Sequence, residues 1–571
     1  MKRLITALAL LLAGVIAARA VPAYPRPVTV VQPDGSTVTI RLHGDENFHW
    51  ITNESGEFME YDEQGFLQRV SEASVMARAA ASPYRLAQHR NVGPQRASSM
   101  SLGQKRFLVV LIEFSDKEFT KSRQDFYNLV NQEGYNGTGS VLDYYNAQSR
   151  GMFQPVWDVF GPVKASGKMA DYGGNVSGSG SDKNPDGLLA EALRAINGQV
   201  DYSVYDNDGD GYVDNVFYFY AGYSEAEGGG SDCIWPHEWT LQGNYSSLVL
   251  DGKRFDSYSC SSELTGTKGS NIVGIGACCH EFGHALGLPD FYDTNYETNG
   301  EADYTPGPFS LMDSGCYNNN SHTPPNMSAL EKYMLEWMDE PQTLSVPGQY
   351  SMGSITSNKA FMLPADVKGE YFIFESRDGT GWDAYINYYA PNTPVQGMVV
   401  YQVDRSSNKV TGSIRASSLW NYNKLNAYAV HPCYRIIPAR DSYRHDRWVY
   451  PSGSVKDYTP EPWSEKDLGL WLRDISYSNG ISSFTLVGPE SSGIGIKIIS
   501  SPKKYYSVGD VFTFSLSSDG DAASSVKWYF DGSRTTDSSV SLTSKGAHTV
   551  KAIVSYADSS TEEIERVIIV Q

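Results

Sequence analysis

The chain has 571 residues, 66 acidic against 46 basic side chains, and a formal net charge of -20. That field repels polyanions, so nucleic acid is excluded as a partner for the bulk of the chain. With 40% hydrophobic, 12% aromatic and only 20% charged residues, it is neither disordered nor a coiled coil, and at roughly 150 residues per domain the length suits three to four domains.

Lys2 and Arg3 precede an apolar run over residues 5–18, and Ala18-Arg19-Ala20 fits a small-residue cleavage site. Residues 1–20 therefore read as a signal peptide cleaved after Ala20. The run is short for a bilayer, Pro22, Pro25 and Pro27 follow at once, and no later stretch reaches spanning length. The expectation is a secreted or extracytoplasmic protein with no stable membrane span. Six cysteines (Cys233, Cys260, Cys278, Cys279, Cys316, Cys433) are an even number in a compartment that permits disulfides, with their pairing open.

Residues 28–31 and 37–42 alternate around Asp34-Gly35, and residues 57–62 and 66–70 repeat the pattern, giving two hairpins in a small β-rich unit. Residues 73–106 contain no carboxylate, while Arg78, Arg85, Arg90, Arg96, Lys105 and Arg106 are spread among Ala, Ser, Pro and Gly. Such a stretch reads as a flexible, protease-sensitive linker. Residues 107–114 form a continuous apolar strand, 122–130 and 140–147 carry helical spacing, 156–163 and 213–220 read as strands, and 186–196 as a helix stopped by Asn197-Gly198. Residues 272–286 form a further helix, with Gly287 as its stop. Beyond Trp337 strands take over, among them 371–375, 398–403 and 483–487. After a linker at 488–493, short strands suit a small β-sandwich with Trp528 in its core.

Within the helix over 272–286 stands His280-Glu281-Phe282-Gly283-His284. The i, i+4 spacing puts both imidazoles on one face, one turn apart, where they can hold one Zn²⁺. Glu281 is rotated about 100 degrees from His280, so it reaches a water beside the metal as general base rather than joining the ligands. Gly287 lets the chain leave the helix by a tight turn, and Asp290 returns a carboxylate as third ligand; Asp293, Glu297 and Glu301 compete for that place.

The run His280 to Asp290, followed by Ser310-Leu311-Met312-Asp313-Ser314-Gly315, resembles the zinc helix and methionine turn of the metzincin metallopeptidases. It is most similar to the immune inhibitor A group of secreted bacterial metalloproteases, in which an Asp replaces the third His. The resemblance extends over residues 107–404, through Ser140 to Tyr145, Asp206 to Asp214, Tyr220-Ala221-Gly222, Ile234 to His237, Glu370 to Glu375 and Gly397 to Asp404. It implies a metzincin-like fold and places Met312 as an apolar floor beneath the metal. Where many metzincins carry a Tyr two residues after that Met, this chain has Ser314, with Tyr317 further on. The implied reaction is peptide-bond hydrolysis, with Glu281 passing a proton from water to the leaving amine. His237 is either a cleft residue or a bonded structural His.

Asp206-Asn207-Asp208-Gly209-Asp210-Gly211-Tyr212-Val213-Asp214 places carboxylates at loop positions 1, 3, 5 and 9, a backbone carbonyl at 7 (Tyr212) and a glycine at 6. Ca²⁺ loops have this pattern, although position 12 is Phe217 rather than a bidentate Glu, so the expectation is a structural calcium site.

The assembled reading is a multidomain α/β plus β protein. It has a signal peptide (1–20), a β-rich propeptide with basic linker (21–105), a zinc metallopeptidase domain (106–340), a β-rich domain (341–488) and an immunoglobulin-like β-sandwich (489–571). Its substrates would be proteins or peptides, and a trypsin-like protease would activate a latent precursor. No cysteine precedes Cys233, which excludes a cysteine switch; Asp45, Glu46 and His49 are the prosegment's possible metal ligands. The competing reading is a surface-binding β-domain protein with a vestigial zinc site.

Overall fold

A computed structural model describes residues 19–62, 64–81, 100–176, 180–294, 302–488, 494–498, 506–518, 524–536, 538–556 and 560–570. The signal run, the linker arginines Arg85, Arg90 and Arg96, residues 489–493, and Glu297 and Glu301 lie outside the described residues.

A six-stranded sheet runs in the order Arg19–Ala20, His237–Thr240, Arg254–Leu264, Tyr212–Tyr223, Gly103–Glu113, Phe153–Lys164. The last four strands are parallel, and His237–Thr240 lies antiparallel to its neighbour. A parallel sheet is covered on both faces, so its strands are apolar at consecutive positions. Phe107, Val109 and Leu111 join one core with the helices Arg123–Asn131, Val141–Gln148 and Ile275–Ala285. Leu108, Val110 and Ile112 join the opposite core with the helix Pro185–Ile196. Ser122 and Ser140 each start a helix with a reciprocal capping box, to Asp125 and Asp143.

The strand Arg254–Leu264 has no counterpart among the sequence-based expectations, because its residues Arg-Phe-Asp-Ser-Tyr-Ser-Cys-Ser-Ser-Glu-Leu are too polar to read as buried. Its serines are nonetheless buried. Tyr258 and Cys260 enter one core, while Ser257 and Ser259 accept from Asn215 Nδ2 at 3.0 and 3.2 Å. Ser259 Oγ also donates to Glu281 O at 3.1 Å, so small side chains on that face let the helix Ile275–Ala285 lie close to the sheet.

The N-terminal unit is a five-stranded meander of Val28–Val31, Thr37–Gly44, His49–Asn53, Phe58–Tyr61 and Leu67–Arg69. The helix Glu72–Ala81 follows where the linker was expected to begin. After residue 340 come one five-stranded and one three-stranded sheet. Ile355, Ile373, Val399, Leu425 and Tyr434 belong to the same buried cluster as Phe282, Met312 and Trp337, so one apolar core continues across the expected domain boundary. At the C-terminus, sheets of three and four strands share Phe512, Phe514, Leu542, Val550 and Val554, with half-buried Trp528 at 4.6 Å from Phe514. All six cysteines are buried free thiols rather than bridges. Among the described residues, no helix is long and apolar enough to cross a membrane.

Candidate active site

The helix Ile275–Ala285 is wholly buried from Ile275 to His284, an unusual position for two imidazoles and a carboxylate. Gly287 follows at φ 107°, in the left-handed region, and turns the chain back so that Asp290 faces both histidines. His280 Nε2 and His284 Nε2 are 3.1 Å apart, and Asp290 Oδ1 is 3.2 Å from the first and 3.1 Å from the second. A tetrahedral cation with bonds of about 2.0–2.1 Å needs ligand atoms about 3.3 Å apart, so the triangle has the size for zinc.

The proton positions strengthen that fit. His280 Nδ1 is 2.8 Å from Leu311 O and His284 Nδ1 is 2.8 Å from Leu288 O. A carbonyl only accepts, so each Nδ1 carries a proton, and the Nε2 atoms are the ones turned to the shared metal position. Burial lowers the His284 pKa to about 4 against the pull of Asp290, which keeps that ring neutral. For Asp290, burial opposes ionisation, but the two histidines outweigh it and hold the carboxyl well below the usual range. Two imidazole nitrogens and a carboxylate converging in a buried space call for a cation.

Met312 packs against the helix that carries both histidines. It is fully buried, and a Cβ added at Gly283, between the histidines, would lie 2.8 Å from Met312 Sδ. The glycine admits the thioether close to the helix.

The face of the triangle toward the sheet edge is filled by the chain itself. Arg19–Ala20 pairs antiparallel with His237–Thr240, with Ala20 opposite His237. Ala20 O is 3.1 Å from His280 Nε2 and accepts from Tyr292 Oη at 2.7 Å. Val21 N–H donates to Glu281 Oε1 at 2.7 Å, Trp235 Nε1 donates to Val21 O at 2.9 Å, and Tyr317 Oη donates to Pro22 O at 2.7 Å. The Ala20–Val21 peptide thus turns its oxygen to the metal ligands and its nitrogen to Glu281. Glu281 Oε2 is buried without a hydrogen-bond partner, and burial, reinforced by Asp290, raises the pKa of this carboxyl.

Of the N-terminal side chains singled out earlier, Asp45 and His49 bond other partners, whereas the buried Glu46 carboxyl is raised in pKa by burial and then by Asp45, Asp290 and Glu281. Asp45 Oδ1 accepts from the Asn47 and Phe48 amides. Glu46 is buried and accepts from Asn47 Nδ2 at 2.5 Å. His49 lies 3.2 Å from Glu225 Oε1 and stacks on Trp235 at 4.8 Å. His237 bonds Trp235 O and Tyr258 Oη at 2.7 and 2.9 Å, and burial lowers its pKa to about 4, so it is a structural histidine.

Three residues outside the motif complete the site, and none carries a local sequence signal. Tyr292 and Tyr317 are aromatic residues in an aromatic-rich chain. Asn423, from beyond residue 340, accepts from the Asp290 amide at 2.7 Å and donates to Asp290 Oδ2 at 2.6 Å.

In the acidic loop, carboxylate oxygens of Asp206, Asp208 and Asp210 lie within 4.8 Å of one another. Lys253 Nζ is 2.6 Å from Asp206 Oδ2. Asp214 stands apart from that trio, its Oδ2 accepting from Asn207 N and Nδ2 at 2.8 and 3.0 Å, and burial raises its pKa to about 6. Tyr212 begins the strand Tyr212–Tyr223, its amide donating to Asp210 Oδ1 at 2.9 Å.

Comparison with known proteins gives this geometry a context. Residues 96–342 match the family described as immune inhibitor A peptidase M6, catalytic domain. The chain is 32% identical over 276 residues to the pre-pro-metalloprotease PrtV of Vibrio cholerae, covering 39% of this chain and 29% of that protein. It is 28% identical over 253 residues to immune inhibitor A of Bacillus thuringiensis subsp. alesti, covering 36% of each. The chain thus spans about a third of the length of these curated relatives. Among solved structures, OgpA from Akkermansia muciniphila aligns over 82% of this chain and 95% of its own at 9% identity, with a TM-score of 0.24, too low to bear on the fold.

Proposed function

We propose, from the match of residues 96–342 to the immune inhibitor A peptidase M6 catalytic domain, that the chain is a secreted, zinc-dependent endopeptidase made as a latent precursor. The observation that carries the proposal is the Ala20–Val21 peptide, seated with its oxygen 3.1 Å from His280 Nε2 and its nitrogen 2.7 Å from Glu281 Oε1.

His280, His284 and Asp290 would hold the zinc, and bound zinc supplies Lewis-acid polarisation of the reacting water and carbonyl. A substrate adds as a strand along His237–Thr240, as Arg19–Ala20 does. Glu281 takes a proton from the attacking water and hands it to the amide nitrogen as the C–N bond breaks; its place against Val21 N is the place that transfer needs. Burial of the whole site excludes bulk water and strengthens each polar contact.

Latency follows from the same strand. After cleavage behind Ala20, Val21 and Pro22 still hold the site through Glu281, Trp235 and Tyr317, so the precursor is closed to other peptides until that segment leaves. The basic linker is the cut site for a trypsin-like activating protease, and residues 1–20 direct export. The convergence of Asp206, Asp208 and Asp210 supports a structural Ca²⁺ held by those residues, with Lys253 competing for Asp206 and with Asp214 and Tyr212 completing the loop.

The test is casein or gelatin hydrolysis by the full chain before and after limited trypsin treatment, beside Glu281→Ala and chelator-treated samples. Activity that appears on nicking and is lost in both controls is expected. A trypsin-treated, zinc-loaded chain that cuts neither protein would refute the reading and favour a binding protein.

A further inference from the structure

We propose that Tyr292 is a catalytic residue whose hydroxyl donates to the carbonyl oxygen of the bond being cut and stabilises the negative charge that grows there. The proposal rests on the peptidase reading above and adds a residue that the zinc motif does not contain.

The seated peptide identifies the atom. The Ala20–Val21 bond of the uncleaved chain stands in for the bond of a substrate, so Ala20 O marks where the oxyanion forms, and Tyr292 Oη lies 2.7 Å from it. The direction of that bond is fixed, since a carbonyl oxygen offers no proton. His280 Nε2, the other group close to Ala20 O, is the nitrogen turned to the metal position, its Nδ1 being bonded to Leu311 O. Among the described residues Tyr292 is therefore the side-chain donor aimed at this oxygen. Tyr317 donates two residues further along, to Pro22 O, where no bond changes; it positions the strand.

Tyr292 also meets the requirement that such a donor be in place before charge develops. It lies two residues after Asp290 and is buried, with 7% of its surface exposed. The intervening Phe291 is anchored by its amide to Met312 O at 2.8 Å and by its ring to Tyr434 at 4.6 Å. Ligand and hydroxyl thus ride on one braced segment.

In the reaction, water oxygen bonds to the carbonyl carbon and the C=O π pair moves onto oxygen, to which the hydrogen bond from Tyr292 Oη–H shortens. As the C=O re-forms, the C–N pair leaves with nitrogen, which takes the proton that Glu281 removed from water. Tyr292 keeps its own proton throughout.

Removing one such donor lowers kcat about 10²–10³-fold. The test compares trypsin-treated parent, Tyr292→Phe and Tyr317→Phe on one peptide substrate, with zinc content and the inhibition constant of a phosphinic peptide mimicking the tetrahedral state. For Tyr292→Phe, we expect kcat to fall about 10²–10³-fold with KM within about threefold. Zinc should remain at one per chain, and the phosphinic peptide should weaken by the same factor as kcat/KM. Tyr317→Phe should mainly raise KM. A Tyr292→Phe enzyme within about threefold of parent kcat, or one that binds the phosphinic peptide as the parent does, would overturn the proposal. So would loss of zinc or of folding in Tyr292→Phe, if Tyr292→Gln, which restores a donor, recovers the fold without any rate. A parent that binds zinc yet cuts no peptide would instead defeat the peptidase reading itself.

Discussion

Replacing Asn423 should strip the site of its third ligand without touching the zinc helix. Its side chain makes two hydrogen bonds to one residue, accepting from the Asp290 amide at 2.7 Å and donating to Asp290 Oδ2 at 2.6 Å. Both partners are buried, so deletion leaves an amide and a carboxylate oxygen without water to replace the loss. A hydrogen bond to a charged group contributes about 1.5–3 kcal/mol and an unsatisfied buried amide costs about 1–3 kcal/mol. With incomplete additivity, the side chain contributes about 3–5 kcal/mol to holding Asp290. Asn423 also sits at φ 55°, where Ala adds about 1–2 kcal/mol of strain and Gly adds none. Asn423→Gly therefore reads the amide alone. Loss of such an outer-shell partner weakens metal binding about 10–100-fold, and Asn423→Ala should be less stable than Asn423→Gly by about 1–2 kcal/mol. Zinc competition with a chromophoric chelator measures the first quantity, and denaturant unfolding the second. If Asn423→Gly held zinc as tightly as the parent, the clamp would be incidental and the argument from geometry would fail.

Other outcomes follow from single contacts. Glu281→Ala should abolish hydrolysis while retaining zinc, because its carboxylate is outside the ligand triangle; metal analysis beside a rate assay checks both halves. His49 of the N-terminal unit faces Glu225, with Asp45 on its own strand turn and Trp235 stacked on it, and Asp182 near Glu225. Burial alone would lower the His49 pKa, but Glu225, then Asp45, raise it on balance. A raised folded pKa means this contact stabilises fully below about pH 6.5 and fades as pH rises through the folded value. The nicked N-terminal unit should therefore dissociate more readily at alkaline than at mildly acidic pH, and His49→Gln should flatten that dependence in size-exclusion measurements. Gly276→Ala would put a Cβ 1.7 Å from Cys316 O, a backbone atom, and should cost about 3 kcal/mol or more, seen as a fall in the unfolding midpoint. Lys253→Met should enlarge the rise in thermal midpoint produced by added Ca²⁺, since the ammonium 2.6 Å from Asp206 would no longer compete; an unchanged calcium response would discount the acidic loop as a cation site.

The parts of this site that were legible in the sequence are those fixed by local spacing. His280, Glu281 and His284 share one helix, Gly287 marks its end, and Asp290 follows within one turn of chain, so rise and rotation per residue suffice to bring them together. Tyr292 and Asn423 owe their roles to packing between distant segments, and periodicity cannot report that. Arg19–Ala20 was readable as a cleavage site but not as a strand, because a two-residue strand has no alternation to detect. Arg254–Leu264 was hidden by serines whose burial follows from the approach of the helix Ile275–Ala285 rather than from hydrophobicity. The continuity of the core past residue 340 was equally invisible, since composition shifts where the helices stop although the packing does not.

The seat of Ala20 opposite His237 has a consequence for what the proposed peptidase can cut. A substrate recognised by lengthening a sheet must present several residues of free main chain in extended form, with their amides and carbonyls unpaired. Helices and strands already paired inside a folded protein cannot meet that demand, whatever their side chains. Susceptibility should therefore track local unfolding of the target: loops, tails and denatured chains go first, and a ligand that rigidifies a target should protect it without ever touching the protease.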